Sequence, residues 1–423
     1  MFSSITMKAL STTCLAIILF AACTQKKPDP LKTVAAAPAI TDSTHLPLPH
    51  ATKSPKVICK IVNWPKGATP TAPAGFKVNL YAGKLNTPCN IYTGPNHDIF
   101  VAQANSVRPS ANNIILLRDV NRNGHPKNMG VFLKGVHQPY GMLIMGNWFY
   151  VAATDCLWRF PYRAGQTRIT GKAQKILVLP SGGYNNHWAR NIIATEDGQG
   201  IYIAVGSGTN DAEHGMKVER RRADILKIDA EGNGETVYAS GLRNPAGMAI
   251  NPVTKQLWTA VNERDDLGDN LVPDYLTSVK PDGFYGWPYA YYGPHPDPNH
   301  KGEHPDKVKK TIVPDVNLGS HTASLGLAFY TGNAFPQRYI NGAFVGQHGS
   351  WNSSKLVGYK VVFVPFTADD KPGKPEDFLT GFIADEQKHE VHGRPMGVAI
   401  SQDGALLVAD EAAGKIWRVT AVK

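Results

Sequence analysis

The side chains of this chain that could do chemistry are a histidine, three arginines and a lysine, placed near the ends of β-type runs. His187 and Arg190 stand three residues apart in Gly182-Gly-Tyr-Asn-Asn-His-Trp-Ala-Arg-Asn191, just ahead of the strand-like stretch Gln199-Gly-Ile-Tyr-Ile-Ala-Val-Gly206. A histidine with an ordinary pKa of about 6.5 can accept a proton at neutral pH, and an adjacent arginine can act as its electrostatic partner. Arg243 with Asn244, and Arg394, occupy turns that lead into two further runs. Lys360 lies in Gly358-Tyr-Lys-Val-Val-Phe-Val-Pro365, with Gln347-His-Gly-Ser-Trp-Asn352 just upstream. Arginines converging with a lysine suit a compact polyanion such as a tricarboxylate or a phosphate, because guanidinium binds pairs of oxygens in bidentate fashion. Taken singly, His187 is equally a hydrogen-bonding turn residue and each arginine a rim residue. Their equivalent positions make them a set.

The elements that must position this set come from a repeat. A turn, an apolar pair, a polar turn and a β-rich run ending in small residues recur six times, the runs ending at Ala102, Ala152, Ala204, Ala260, Gly346 and Ala409. The spacings are 50, 52, 56, 86 and 63 residues. A unit of about 50 residues is the size of a four-stranded propeller blade. The pattern predicts an all-β fold, a six-bladed β-propeller over residues 71–423, with a β-sandwich or solenoid as the competing reading. The extra length between Asn262 and Ser324 is expected to form loops on one face, where propellers bind ligands.

With 40 Gly and 31 Pro, the composition favours many turns and short strands over long helices. The formal charge of +10 raises nucleic-acid binding, but the densest basic cluster, Glu219-Arg-Arg-Arg222, is short, contains an acid and has no interleaved aromatics. The charge is therefore read as a basic surface or an anion pocket, with no nucleic acid as partner.

Residues 1–22 read as a signal peptide: Lys8 precedes the apolar stretch Leu15-Ala-Ile-Ile-Leu-Phe-Ala-Ala22, which is too short to span a bilayer. Phe20-Ala-Ala-Cys23 has the form of a bacterial lipoprotein cleavage box, with Cys23 as the lipidated new N-terminus. That reading anchors the protein to the cell envelope, and Thr24 points to the outer membrane; a plain cleavable signal is the alternative. Residues 23–70, rich in Lys, Pro, Ala and Thr without a period, read as a low-order tether. Cys59, Cys89 and Cys156 then remain, an odd number without CxxC spacing, and are expected as free thiols. Asp119-Val-Asn-Arg-Asn-Gly124 has the first half of a Ca²⁺ loop, but Gly130 at the twelfth position provides no bidentate ligand, so it reads as a surface turn.

Three segments carry a family resemblance. Gly241-Leu-Arg-Asn-Pro-Ala-Gly-Met-Ala249, the acidic loop Asn262-Glu-Arg-Asp-Asp-Leu-Gly-Asp269 and Gly283-Phe-Tyr-Gly-Trp-Pro288 resemble the soluble sugar dehydrogenases that depend on pyrroloquinoline quinone (PQQ). Gln347–Asn352, Gly358–Val362 and Gly393-Arg-Pro-Met-Gly-Val-Ala399 are similar to the branch called L-sorbosone dehydrogenase-like. The resemblance runs from about Gly75 to Val422. It implies a propeller of the soluble quinoprotein glucose dehydrogenase type, binding PQQ and Ca²⁺ on its upper face. It implies His187 as catalytic base, Arg243 as electrophilic support, and Arg243, Asn244, Lys360 and Arg394 as quinone-binding groups, with Arg190 added from its place beside His187. It implies that main-chain carbonyls of the 263–266 loop, at Arg264, Asp265 and Asp266, help to hold the Ca²⁺.

Glucose-oxidising members have a glutamine where Ala246 stands and a second arginine where Met396 stands, so glucose specificity is not expected. The activity implied is oxidation of a sugar or sugar-derived aldehyde or alcohol by hydride transfer to the quinone, with electrons passed to a membrane acceptor. The main alternative is a cofactor-less propeller lipoprotein that binds glycans or proteins. A Ca²⁺-dependent lactonase is a third reading, and it leaves the arginines and lysine unexplained.

Overall fold

Each of the six repeated runs forms the second strand of a β-sheet, and the apolar residues ahead of it form the first. The computed structural model describes residues 45–106, 109–119 and 123–422. Blade 1 is built from Pro88–Thr93, Asp98–Gln103, Asn113–Arg118 and Asn128–Lys134, and blade 2 from Gly141–Met145, Trp148–Ala152, Cys156–Pro161 and Gln174–Val178. Blade 3 comprises Arg190–Ala194, Gly200–Val205, Asp224–Asp229 and Thr236–Ser240, and blade 4 Gly247–Ile250, Leu257–Val261, Pro273–Ser278 and Val316–Ser320. Blade 5 comprises Ser324–Phe329, Ala343–Gln347, Lys360–Val364 and Glu376–Leu379. Blade 6 takes Pro395–Ile400, Leu406–Asp410 and Lys415–Ala421 from the C-terminal end and Phe76–Ala82 from the N-terminal side.

The first strand of each blade packs against the first strand of the next, and that of blade 6 returns to blade 1. Antiparallel pairing of Phe76–Ala82, the outermost strand of blade 6, with Lys415–Ala421 closes the ring. Between successive blades lie separate apolar cores, among them Phe100, Phe132 and Phe149 between blades 1 and 2, and Tyr150, Ile201 and Ile203 between blades 2 and 3. Trp258, Val345 and Val362 fill the gap between blades 4 and 5. Val101, Leu117, Leu407 and Ile416 fill the gap between blades 6 and 1, so the closing seam is packed like the others. The all-β six-bladed propeller expected from the repeat is the fold of the chain.

Two features draw the inner strands together. At Gly326 a Cβ would stand 2.1 Å from the Met396 carbonyl oxygen, a distance no side chain tolerates, so glycine sets how closely blades 5 and 6 approach. Asn90 and Asn191, at the same position in blades 1 and 3, each reach across to the next blade, donating to the carbonyls of Tyr140 at 3.1 Å and Ala246 at 2.8 Å.

The extra length falls inside blade 4, between its third and fourth strands. It adds Gly283–Phe284 as a fifth, parallel strand to blade 3, then a small ribbon, Ala290–Tyr291 with His295–Pro296, and the helix Pro305–Lys310.

The reading of residues 23–70 as a low-order tether does not hold from residue 45 onward. There the chain forms a strap across the propeller: His50 N–H donates to the Leu267 carbonyl and Val57 N–H to that of Trp351, both at 2.8 Å. Lys60–Ile61 pairs in parallel with Glu390–Val391. Trp64 stacks edge-on against Trp417 at 5.2 Å and Phe382 at 5.6 Å, and its indole N–H donates to Asp410 at 3.1 Å. The strap is held by a few large or polar anchors rather than by a periodic apolar face, which is why the sequence shows no pattern there. The signal segment and Cys23 lie outside the described residues, as do residues 120–122 of the acidic turn. Among the described residues no helix is long and apolar enough to cross a membrane. Cys59, Cys89 and Cys156 are free thiols, the last two buried.

Trp64→Ala should remove the aromatic contacts and one of the donors to buried Asp410. We expect a cost of roughly 2–3 kcal/mol, somewhat below the usual range for a fully buried aromatic, read as a lower denaturant midpoint with unchanged far-UV dichroism.

Candidate active site

In an antiparallel blade, the loop entering the first strand and the loop leaving the second open at the same end of the ring. Such loops from blades 1, 3, 4, 5 and 6, together with the strap, enclose a cavity of about 670 Å³, within the range of small-molecule and cofactor sites. His187, Arg243, Asn244, Asp265, Asp266, Arg394 and Met396 all line it.

His187 is held in one tautomer. Its Nδ1 lies 2.9 Å from the Ser207 carbonyl oxygen and 3.0 Å from Ser207 Oγ, whose own hydrogen goes to the Thr209 carbonyl at 2.6 Å. A carbonyl can only accept, so Nδ1 carries the proton and Nε2 keeps its lone pair. Burial, and then the charge of Arg243, hold this imidazole well below the ordinary histidine pKa, outweighing the opposing bond to Ser207. The ring is therefore neutral at neutral pH. Gly206 lets it approach Asn244: a Cβ there would meet Asn244 Oδ1 at 2.5 Å and His187 Cβ at 2.6 Å.

Arg243 is 3 % exposed, and acceptors surround its guanidinium. Nε donates to the Asn210 carbonyl at 3.0 Å, Nη1 to the Glu263 carbonyl at 2.6 Å and Nη2 to Asn210 Oδ1 at 2.9 Å. It thus offers the cavity a fixed positive charge rather than loose N–H groups. Glu263, beneath it, is buried, and burial pushes its carboxyl up to about 7.

The side chains of the 263–266 loop are not free to bind a metal. Asp265 sits between Arg243 Nη2 at 3.5 Å and His321 Nδ1 at 3.3 Å, and Asp266 accepts from Asn352 Nδ2 at 3.1 Å. Burial would lower the pKa of His321, but its bonds to Asp265 and the Gly268 carbonyl raise it overall. Among the described residues no cluster of His, Cys, Asp or Glu could hold an ion by itself. What the loop can offer is carbonyl oxygen. Since Ca²⁺ takes six to eight oxygens, such a site fits the ion only jointly with an anionic ligand and water.

Two expected site residues are placed elsewhere, and the side chain of a third, Arg264, whose main-chain carbonyl is the group expected at the Ca²⁺, points away from the cavity. Arg190 is fully buried beneath the His187 turn, where it donates to the carbonyls of His187, Ala189 and Pro180 and to Asn185; it positions the base and does not reach the cavity. Arg264 turns away to pair with Asp297 at 2.6 Å and Asp211 at 3.3 Å. Lys360 opens the third strand of blade 5, two strands out from the axis, and binds Asp377 of the fourth strand at 2.6 Å. Spacing along the sequence does not tell an inner strand from an outer one.

The cavity's lysine is instead Lys56, brought by the strap, with Nζ 5.6 Å from the Trp351 ring centre. Arg394 donates to the carbonyls of His348 at 3.1 Å and Gly349 at 3.2 Å and has no ion-pair partner among the described residues. Its backbone N–H is fixed at 2.9 Å by Asp410, the carboxylate that also receives Trp64. Beside it His348 Nε2 faces Glu411 at 3.3 Å. Burial and Arg394 lower the pKa of His348, while Glu411, although burial opposes it, is held low by His348 and Arg394. Sequence reasoning missed Lys56, Asn210, Glu213, His321 and Glu411. Trp188, His348 and Trp351 stood in quoted motifs without a role. The cavity is bipolar in net charge: blades 3 and 4 supply Glu213, Asp265 and Asp266 against Arg243, and blade 6 and the strap supply Arg394 and Lys56 against Glu411.

The family model described as TrAA12-like matches residues 70–277 and 297–422; it leaves out the residues before 70, the strap among them, and residues 278–296 of the insertion in blade 4. The chain belongs to the TrAA12-like family. Its sequence is similar to an aldose sugar dehydrogenase of Escherichia coli strain K12, 25% identical over 264 residues, which cover 57% of this chain and 62% of that protein. The fold is similar to the calcium structure of a Trichoderma reesei enzyme of carbohydrate-active family AA12, with TM-score 0.71 and 16% identity over 88% of this chain and all of that one. It is similar also to the holo form of the PQQ domain of a pyranose dehydrogenase from Coprinopsis cinerea, with TM-score 0.69 and 19% identity, covering 83% of this chain and 97% of that one. At these identities the structural likeness is one of fold. The resemblance to PQQ-dependent soluble sugar dehydrogenases, read first from the sequence, is thereby borne out at the level of family.

For this TrAA12-like chain the burial of His187 and the nearby Arg243 charge predict a ring that titrates below the ordinary histidine value. An imidazole carbon titration by NMR, with His187→Asn to identify the signal, should give a midpoint below 6.5. A midpoint at or above that value would contradict the assigned electrostatics.

Proposed function

We propose that the chain is a PQQ- and Ca²⁺-dependent oxidoreductase that oxidises a sugar or a sugar-derived aldehyde or alcohol, in the manner of the sorbosone dehydrogenase branch. The observation that carries this reading is the neutral His187, with Nε2 directed to proton acceptance by its Nδ1 bond, on the wall of a cavity that also bears Arg243, Asn244 and Arg394. The family membership and the names of the relatives support it.

The residues present fit such a cofactor. Arg394 has no ion pair among the described residues, and with Lys56 it would hold carboxylates of the quinone at the basic end. The loop carbonyls at 263–266 would share in binding Ca²⁺ at the acidic end. When bound, the quinone with its Ca²⁺ supplies an electrophilic acceptor for hydride. His187 Nε2 takes the hydroxyl proton of the substrate as the C–H bond breaks, and Ser207 stabilises the resulting imidazolium through its carbonyl. Arg243 holds negative charge that builds at the reacting end. Asn244 is placed against His187 by Gly206 and presents its amide to the same space. Met396, Leu325 and Ala323 give the wall an apolar stretch that limits how many hydroxyls a substrate can present there. Under this reading glucose is a poor substrate.

Apo protein mixed with PQQ and Ca²⁺ should show a cofactor absorption band and sugar-dependent dye reduction. His187→Ala should keep the band but lose about 10²–10⁴ in turnover, the range for a general base. Arg394→Ala should weaken quinone binding about tenfold, the loss of a charge-assisted hydrogen bond, whereas Lys360→Ala should leave it within about twofold. No band at micromolar cofactor would reject the enzyme and favour a glycan- or protein-binding propeller.

We also propose that Cys23 carries lipid, tethering the propeller at the cell envelope where a membrane acceptor can collect the electrons. Mass analysis of the mature N-terminus should show an acylated cysteine, and a free N-terminus elsewhere would refute the anchor.

A further inference from the structure

A second cavity, of about 550 Å³, lies beside the outer strands of blade 3, where the insertion from blade 4 adds its fifth strand. Nothing in the proposed reaction uses it. Its apolar wall is flat and aromatic: Phe284, Trp287 and Tyr289, with Trp287 and Tyr289 buried. Gly241, at φ +72°, allows this wall to close, since a Cβ there would stand 2.7 Å from the Phe284 ring.

The rim is basic. Lys217, Arg220, Lys307 and Lys310 line it, and none has an ion-pair partner among the described residues. Lys307 instead sits over the rings of Tyr289 at 5.2 Å and Phe284 at 5.9 Å. The acids nearby lie in the wall rather than on the rim, and the buried Glu219 faces Arg222 there, so the four rim cations keep an excess of positive charge. Glu219 is spent on Gly208 N–H at 2.7 Å and the Thr209 hydroxyl, and burial, then Glu219, push the Asp224 carboxyl up to about 7. Arg222, 4 % exposed, has an Nε without a partner among the described residues in the same wall.

Cations with no counter-charge around flat apolar surfaces select an anion with a flat apolar body. An acidic sugar would satisfy the cations and could stack a C–H face on the wall, but three rings offer more contact to a fully planar body than to a sugar edged with hydroxyls. Each of its hydroxyls needs a polar partner, and the wall's neutral hydroxyls are those of Ser240 and Tyr289. We infer that this cavity binds a small aromatic anion, a planar ring system bearing a carboxylate, sulfonate or phenolate. The site stands whether or not the proposed reaction does. It also touches the active cavity: the Asn210 carbonyl that receives Arg243 Nε at 3.0 Å receives Trp287 Nε1 at 2.9 Å. A ring seated on Trp287 is thus one carbonyl away from the arginine beside His187.

The test uses the full chain without cofactor, titrated with 2,6-dichlorophenolindophenolate at low ionic strength while tryptophan fluorescence is followed. Saturable quenching is expected, diminished in Trp287→Phe. The double variant Lys307→Glu/Lys310→Glu, altered only at exposed positions, should bind the dye at least about tenfold more weakly. Arg394→Ala, in the other cavity, should bind it as the parent does. The inference is overturned if the double variant binds within twofold of the parent, or if Arg394→Ala rather than the double variant abolishes binding. Displacement of the dye by oligogalacturonate at concentrations below the dye's own Kd would also overturn it, in favour of an acidic glycan.

Discussion

Residues on five blades and a strap meet at one cavity, so their separations follow from the radius of the ring, and the radius follows from how closely neighbouring inner strands can pack. Gly326 against the Met396 carbonyl marks the limit of that approach. Asn90 and Asn191 bind the ring at that distance by donating from one blade to the backbone of the next. A wider ring would separate His187 from Arg394 without changing either residue. Closure through Phe76–Ala82 makes the constraint global, because no blade can relax outward without opening the seam between the propeller's first and last strands.

Within that frame the charges compensate one another locally. Arg243 is a buried cation bound mostly by main-chain oxygens and the Asn210 amide, with Asp265 at 3.5 Å. Burial first, and then that charge, keep the neighbouring imidazole neutral, and the Ser207 carbonyl decides which nitrogen is bare. Arg190, buried under the same turn, holds the carbonyls of His187 and Ala189 and so fixes the turn from below. At the opposite side, Asp410 joins the strap's Trp64 to the backbone of Arg394, so a segment outside the propeller helps to set a residue inside its cavity.

The repeat was legible because each blade spells out the same two inner strands, and an apolar run ending in small residues survives any variation in the outer two. His187, Arg243, Asn244 and Arg394 were legible for the same reason: they flank those inner strands. Lys360 shared their chemistry but not their strand, and so it faces Asp377 at the outside. Lys56 had the opposite fate. It lies in a stretch with no period and no apolar face, and it reaches the cavity only because His50, Val57 and Trp64 dock the strap.

By itself the sequence determined the number of blades, the inner strands and the residue types that crowd their ends, because local alternation and turn chemistry are written residue by residue. Which lysine serves the cavity, which arginines are buried supports, and which histidine nitrogen is free were decided only by the tertiary structure. Those depend on contacts between residues tens to hundreds of positions apart, such as Trp64 with Asp410 or Arg243 with Asn210, and no local pattern encodes such distances.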